Sequence, residues 1–433
     1  MAAIDPSIYE EITIESTDGS TTVDIRQGTV IKYYEDIFSP TVSVKLSVVN
    51  TGNTIDSQSI YQGLPLRGAE RVSLKIKGNS KKNPGLDFSK KTDHLYVDKI
   101  QNVISKSQTE YFLLNLVSRE CISNETSRVA KKYSASSPIS ASVEDILKET
   151  IKTTRELDID QTSNTYGFIG NLRKPFTVIN WLMAKSVPEE SKEGGTAGYL
   201  FYQTDVSYKF KSIDNLITQE PKATYTYTEV VNEERDDDFT IIKYNTEKNH
   251  HILENLRLGV YSSQRVFFNP LTFEFTSPQK GAFKLEDYQG KSKNLGRQIE
   301  LPPENPNSDR TLGDMPSRII TQILDVGTYE KEVSKKSNAN PMEYQSQTLM
   351  RYNTLFTQVL TMTVPSNTNL NAGDIIKCQF PKTSTSKERE FDKEQSGLYM
   401  IRKLCHHFDS DGSYTELVLA RDTFGQYGTN TKK

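Results

Sequence analysis

Residues Glu70 to Ile76 (ERVSLKI) return 304 positions later as Asp374 to Phe380 (DIIKCQF), and the segments downstream of the two stretches come in the same order. The first is succeeded by Leu95-Tyr96-Val97, a turn near Lys106 to Thr109, and Tyr111 to Glu120 (YFLLNLVSRE). The second is succeeded by Leu398-Tyr399-Met400, a turn at Asp409 to Ser413, and Tyr414 to Asp422 (YTELVLARD). The offset drifts only from 304 at Glu70/Asp374 through 303 at Tyr96/Tyr399 to 302 at Arg119/Arg421. Strands joined by turns absorb slips of that size, so the chain reads as one β-hairpin unit used twice, with Arg119 and Arg421 closing equivalent strands.

The front halves of the two copies also align. Phe38-Ser39-Pro40-Thr41-Val42-Ser43-Val44 matches Phe268-Asn269-Pro270-Leu271-Thr272-Phe273-Glu274 at an offset of 230, or 231 with Val42 and Val44 set on Phe273 and Phe275. Gly28 and Gly259 precede them at similar distances. The front offset is about 70 residues smaller than the back one, which predicts extra chain inside the second copy, with 285–345 the obvious place. Alternation is generic to antiparallel strands. Two blocks in one order, with matching Phe-x-Pro and Arg-acid ends, are harder to obtain by accident.

The strands themselves are legible from period two. Val42, Val44, Leu46 and Val48 alternate with Ser43, Lys45 and Ser47, which makes 41–49 a half-buried strand. Val72, Leu74 and Ile76 against Ser73, Lys75 and Lys77, and Ile376, Cys378 and Phe380 against Lys377 and Gln379, repeat the pattern.

Between the copies the texture changes. Ser140 and Ser142 suit a capping region before VEDILKETI, and Pro175 opens a run with Phe176, Ile179, Leu182 and Met183 at helical spacing, where Trp181 also packs. A hairpin pairs Tyr199 to Tyr202 with Tyr208 to Phe210, and the acidic cluster Glu233 to Asp238 reads as a solvated loop. A helix is predicted from about Glu247 to Leu258 with Gly259 as its terminating glycine. Residues 301–316 are Pro-rich and read as an extended connection; Asn340-Pro341 opens a helix towards Tyr352, ahead of a strand at Phe356 to Val364.

Bulk properties exclude several functions. A chain of 433 residues exceeds one compact core and forms two to four domains. Net charge −3, with 25% charged residues, is wrong for a protein that grips nucleic acid by neutralising phosphates. Three cysteines (Cys121, Cys378, Cys405) form no disulfide framework and suit synthesis in a reducing compartment. The N-terminus MAAIDPSIYEE has no signal-peptide character, and no apolar stretch approaches the ~18 residues of a membrane span.

Chemical motifs are weak throughout. Cys405-His406-His407 with Cys378 offers ligands that suit zinc, yet neighbours on a strand point to opposite faces and C-x2-C pairs are missing, so Cys378 and Cys405 are read as core residues. Asp409-Ser410-Asp411-Gly412-Ser413 begins like a calcium loop but lacks the Glu at position 12, and is read as a turn. There is no Gly-x-Ser-x-Gly elbow, Walker loop or dinucleotide fingerprint. No catalytic, cofactor-binding or metal-binding residue is assigned. The 22 Tyr and 18 Phe are attributed to core and interfaces before sugar stacking.

Several segments taken together resemble a known family. YYEDIFSPTVSV (Tyr33 to Val44), RKPFTVINWLMAKSV (Arg173 to Val187), GYLFYQTDVSYKFKSIDNL (Gly198 to Leu216) and NLRLGVYSSQRVFFNPLT (Asn255 to Thr272) resemble the baseplate hub subunit of contractile-tailed bacteriophages. The closing NLNAGDIIKCQFP, SGLYMIRKLCHHF and YTELVLARD are also similar to the hub part of type VI secretion spike proteins. The resemblance spans most of residues 25–425 in order, as loose patterns without a catalytic signature.

The resemblance implies a mainly β, α+β chain: two similar antiparallel β-barrel tube domains with an inserted α/β region. The expected division is 1–120 first barrel, 121–250 inserted domain, 251–288 and 343–425 the two parts of the second barrel, 289–342 an extended connection, and 426–433 a flexible C-terminus. It further implies a non-enzymatic homotrimer without cofactor, a pseudo-six-fold ring between the hexameric tail tube and a trimeric spike, with tape measure and DNA passing through the lumen unbound. Its partners would be a separate spike protein, tube or tube-initiator proteins, the tape measure protein and baseplate wedge proteins, in a virion baseplate assembled in the host cytoplasm. Since no oligonucleotide-binding fold, β-helix or lytic domain comes after the second barrel before Lys433, the spike is expected on a separate chain. The alternative is a carbohydrate- or receptor-binding tail protein using Tyr225-Thr226-Tyr227; a peptidoglycan hydrolase ranks third.

Overall fold

The computed structural model describes residues 5–51, 55, 57–79, 83–106, 108–189, 195–228, 237–297, 299–327, 330, 338, 341–383 and 391–425. Most of the predicted acidic loop and the tail from 426 lie outside these residues.

The N-terminal module is built from β1 (Ile8–Glu15), β2 (Thr22–Asp24), β3 (Thr29–Asp36), β4 (Ser43–Thr51), β5 (Arg71–Lys77), β6 (Gly85–Asp87), β7 (Leu95–Ser105) and β8 (Thr109–Ser118), with the single-turn α1 (Ile60–Gly63) on the way. The strand order is β3-β4-β8-β7-β5-β1-β2, antiparallel throughout, with β6 on β5. The alternation read in 41–49 is real: Val44, Leu46 and Val48 point into the core while Lys45 and Ser47 face out or sit at the boundary.

An α/β insertion comes next. It comprises α2 (Arg119–Thr126), β9 (Lys132–Tyr133), α3 (Ile139–Asp145) running on as a π-helical turn (Ile146–Ile151), β10 (Glu156–Ile159), β11 (Phe168–Ile169), α4 (Pro175–Met183), β12 (Tyr199–Gln203), β13 (Ser207–Ser212) and α5 (Ile213–Ile217). The predicted Tyr199 hairpin is the β12/β13 pair, with β10 added parallel to β13. Its core is its own: Ile139, Val143, Ile146, Ile179 and Leu182 pack on Tyr199, Phe201 and Phe210. Fully burying each such side chain stabilises by about 1.5–3 kcal/mol.

The second module begins with β14 (Thr224–Tyr227), β15 (Thr240–Ile241) and β16 (Lys243–Asn249). Then comes an excursion: α6 (Ile252–Leu258), β17 (Ser262–Asn269), β18 (Glu274–Phe275), α7 (Pro278–Gly281), β19 (Ala282–Lys284), β20 (Arg318–Ile323) and α8 (Pro341–Thr354). It closes with β21 (Gln358–Pro365), β22 (Ile375–Gln379), β23 (Gly397–Phe408) and β24 (Ser413–Arg421). Two expectations change here. Glu247 to Asn249 end a strand, and the helix before Gly259 starts only at Ile252. And β17, which carries the Phe268-Asn269-Pro270 match, belongs to a separate four-stranded sheet with β18, β19 and β20, so the strands of 251–288 lie outside the large sheet.

The true front half of the second copy is β16 and β21. β16 pairs with β21 and β21 with β24, as β3 pairs with β4 and β4 with β8. The extra chain therefore sits between β16 and β21, where the first copy has only the short link from Asp36 to Ser43. The back halves correspond as expected: β5-β7-β8 and β22-β23-β24 are the same meander. Each carries a bulge at one position, between Val97 and Lys99 in β7 and between Ile401 and Lys403 in β23. The turns entering them match too. Ala69 N–H donates to Val97 O at 2.7 Å and Gly373 N–H to Ile401 O at 2.8 Å. At those two positions φ is 70° and 88°, the left-handed region that glycine accepts most readily.

That register places Ser118, not Arg119, opposite Arg421 in the repeat. Arg421 is buried at the end of β24 and donates to Gln358 Oε1 and the carbonyls of Ser396 and Gly425. Arg119 starts α2 and reaches Lys152 O at 2.8 Å. The two arginines have different roles.

The modules share one sheet of fifteen strands. Lys403–Phe408 of β23 run antiparallel to Ile31–Asp36 of β3, and a single core cluster runs from Ile31, Val44 and Leu114 to Met362, Leu404 and Leu417. Among the described residues no helix is long and apolar enough to cross a membrane.

Candidate functional site

The place where all three parts of the chain meet is polar, with Glu35 buried and Asp205 and Asn371 half-buried around it. Glu35, on β3, is 1% exposed, and its Oε1 accepts from the Tyr33 hydroxyl at 2.7 Å and from Asp205 N–H at 2.8 Å. Its Oε2 accepts from Ala372 N–H at 2.8 Å, and Asn371 Nδ2 donates to Asp205 Oδ1 at 2.6 Å. Burial, reinforced by the neighbouring Asp205, pushes the Glu35 carboxyl up to about 8, and burial raises Asp205 as well. One residue from the first module thus ties the β12–β13 turn to the turn before β22. Arg155, buried beside them, donates to Asp205 O at 2.8 Å and stands 3.9 Å from Glu120. Above Asp205 and Asn371 an open polar cleft of about 890 Å³ is bounded by Lys77, Asp87 and Arg155.

A second buried network fixes the excursion. Arg351 on α8 contacts Asp214 at 2.9 Å and Asp422 at 3.5 Å, all with side chains 2% exposed. Asp422 also accepts from Leu295 N–H, and Asp214 from Lys293 N–H. Burial raises the Asp422 carboxyl while Arg351 pulls it down.

Neither network has a nucleophile beside a base, and in both the carboxylates accept from backbone N–H groups of distant segments as well as from side chains. They are joints. The cysteine and histidine cluster is spread through the sheet: Cys378 and Cys405 are buried, His406 Nδ1 lies 2.9 Å from Thr415 Oγ1, and His407 stacks on Tyr414 at 4.4 Å. Burial holds the His406 imidazole down at about 4, so it is neutral. Asp409 to Gly412 form the predicted turn, with Asp409 N–H donating to Gly412 O. The tyrosine segment is not exposed: Tyr225 is fully buried and its hydroxyl accepts from Asn367, which removes the feature that motivated glycan binding.

What sequence reading missed is an apolar wall on the small sheet. Ile319 (70% exposed), Ile323 (73%), Phe275 (64%) and Phe273 (78%) stand with the half-buried Val266 and Phe268 on one side of β17, β18 and β20. Exposed apolar side chains gathered on one face are unfavourable in water unless something covers them. Phe273 is held at φ 56°, an uncommon conformation for a bulky residue. RIITQI falls inside the 289–342 stretch expected to be an extended connection, and its sequence revealed neither the strand nor the side that remains open.

No family model and no curated protein matches this sequence. Solved structures do match. The tail protein from Neisseria meningitidis MC58 superposes with a TM-score of 0.54 at 10% identity, covering 95% of this chain and 96% of that one. The 43 kDa tail protein of prophage MuSo2 from Shewanella oneidensis gives 0.52 at 9% identity, covering 95% and 98%. The chain therefore has the fold of phage tail proteins over nearly its whole length.

Proposed function

We propose that this protein is the baseplate hub of a phage contractile tail: a non-enzymatic homotrimer whose duplicated modules make a pseudo-six-fold ring, joining the hexameric tube to the trimeric spike and leaving a lumen for tape measure and DNA. The observation that carries the reading is the duplicated meander with its matched turns, because two equivalent modules per chain let three chains present six similar walls. The tail-protein fold supports it.

On this reading each module is a tube domain, the first in residues 1–120 and the second in β14–β16 together with β21–β24, while 121–222 and the excursion between β16 and β21 decorate the outside. Closure of each wall is supported by consecutive strands that stand at opposite ends of each module's strand order. The chain runs from β2, paired with β1, into β3, paired with β4; likewise from β15, paired with β14, into β16, paired with β21. The ring's neighbours are a spike protein, tube or tube-initiator proteins and wedge proteins of a virion baseplate.

Electron microscopy of the purified protein, alone and with its spike, tests the reading. A ring with six similar blocks and a central hole is expected. A monomer under both conditions overturns it.

A further inference from the structure

The junction between the two modules exists once inside the chain, and the chain carries both halves of a second one. In the internal junction β23 is flanked by β24 on one side and β3 on the other, and β3 is flanked by β4. By the repeat, the counterpart of β23 is β7, and the counterpart of β3 is β16. Among the described residues, Lys99 to Ser105 of β7 has a strand on one side only, β8, and β16 has a strand on one side only, β21.

Side-chain exposure agrees. Leu404, Cys405 and His406 on β23 are buried beside β3, whereas the matching stretch of β7 leaves Val103 39% and Ile104 53% exposed. An open edge with apolar residues and no proline is a template for strand addition, and monomeric proteins normally blunt it. The irregularities agree as well. Unlike β23, β7 has a one-residue bulge between Gln101 and Ile104; unlike β3, β16 has one between Thr246 and Lys248.

We propose that the free edge of β7 pairs antiparallel with β16 of a second copy of this chain, repeating between subunits the β23–β3 junction made within each. Transferring Cys405↔Tyr34, His407↔Lys32 and Phe408↔Ile31 through the repeat places Gln101 opposite Lys248, Ile104 opposite Asn245 and Ser105 opposite Tyr244. Two residues then separate the anchors on each strand, 102–103 on one and 246–247 on the other. The two bulges cancel and the register is kept along the whole edge. Because the paired edges lie on different modules, the contact is head-to-tail, and repetition yields a ring if the rotation closes and a filament if it does not. The inference deepens the hub reading by naming the partner of the tube wall and its contact residues; the count of three rests on that reading.

Opposed residues on neighbouring strands have Cβ atoms about 4.5–5.5 Å apart, within reach of oxidative or short bis-maleimide cross-linking. A chain carrying Ile104→Cys is mixed with one carrying Asn245→Cys, with wild type as the control for Cys121, Cys378 and Cys405. A cross-linked dimer is expected from the mixture and from neither variant alone. Both positions are exposed, so the folded state tolerates the change. As a second variant, Ile104→Lys with Asn245→Lys, like charges face to face, abolishes assembly with an unchanged unfolding midpoint, and Ile104→Glu with Asn245→Lys restores it. A ring seen by microscopy without the cross-link, and unaffected by the lysine pair, overturns this pairing and leaves the hub reading standing. The cross-link in open filaments supports the pairing and overturns the ring. No association at any concentration overturns both.

Discussion

Glu70 and Asp374, 304 positions apart, do the same work in two places. Glu70 O accepts from Val97 N–H at 3.0 Å and Asp374 O from Ile401 N–H at 2.9 Å. Their carboxylates cap the turns that precede them, Glu70 taking the N–H groups of Arg67 at 2.7 Å and Gly68 at 3.0 Å, Asp374 that of Asn371 at 2.7 Å.

Removing either cap leaves partly buried backbone N–H groups without their carboxylate acceptor. Glu70→Ala and Asp374→Ala are each expected to cost about 0.5–2 kcal/mol in urea unfolding, the usual cost of losing a side chain that caps backbone N–H groups. Asp374→Ala also frees Lys222, paired to it at 2.9 Å, which is partly exposed and adds little. A change near zero for both would show that the turns form without their caps.

Stability should fall with rising pH through the Glu35 joint. Its carboxyl titrates at about 8 in the fold against 4.5 ordinarily, so between those values the folded protein holds a proton that the unfolded chain has released. The contribution is whole below about pH 4.5, declines as pH rises, and is gone above about 8. Urea midpoints at pH 5, 7 and 9 for wild type and Glu35→Gln check this. The variant should have the flatter profile, the remaining slope coming from Asp205, Asp374 and Asp422, whose carboxyls burial also raises. Identical slopes would remove Glu35 from the account.

Arg351→Ala leaves Asp214 and Asp422 buried without their cation, and breaking a buried pair in this way costs about 3–5 kcal/mol. Arg351→Met is expected to recover packing but not that loss. Calorimetric unfolding of both variants separates the two contributions; equal stability to wild type in Arg351→Ala would mean that the network is not a joint.

The apolar wall of β17, β18 and β20 is tested by Ile319→Lys with Ile323→Lys. Both side chains stand in solvent, so the unfolding free energy should stay within about 0.5 kcal/mol per site. Binding of a hydrophobic dye to the native protein should drop. Unchanged dye binding would place the sticky surface elsewhere.

Much of the fold was readable because period two in a strand is a local signal. Val44, Leu46 and Val48, and the pair of meanders from Glu70 and Asp374, needed only alternation and turns to be seen, and α4 and the Tyr199 hairpin likewise. The front-half match failed for the same reason that it was found. Phe38-Ser39-Pro40 comes just after β3 and Phe268-Asn269-Pro270 lies at the end of β17, and alternation says that a strand exists without saying which edge it joins. Arg119 was set one residue out of register with Arg421, because a loose pattern does not fix where a strand ends, and Tyr225 was read as accessible although exposure is set by what the rest of the chain lays over a residue.

Local pattern was enough to establish that this chain contains one meander twice, with an α/β insertion between the copies, because side-chain periodicity and turn chemistry are carried by neighbouring residues. It took the packed molecule to reveal that β16 and β21 are the second copy's front half, that Glu35 joins three segments, and that β23 lies against β3. Those outcomes rest on hydrogen bonds and burial between residues hundreds of positions apart, which no local pattern specifies.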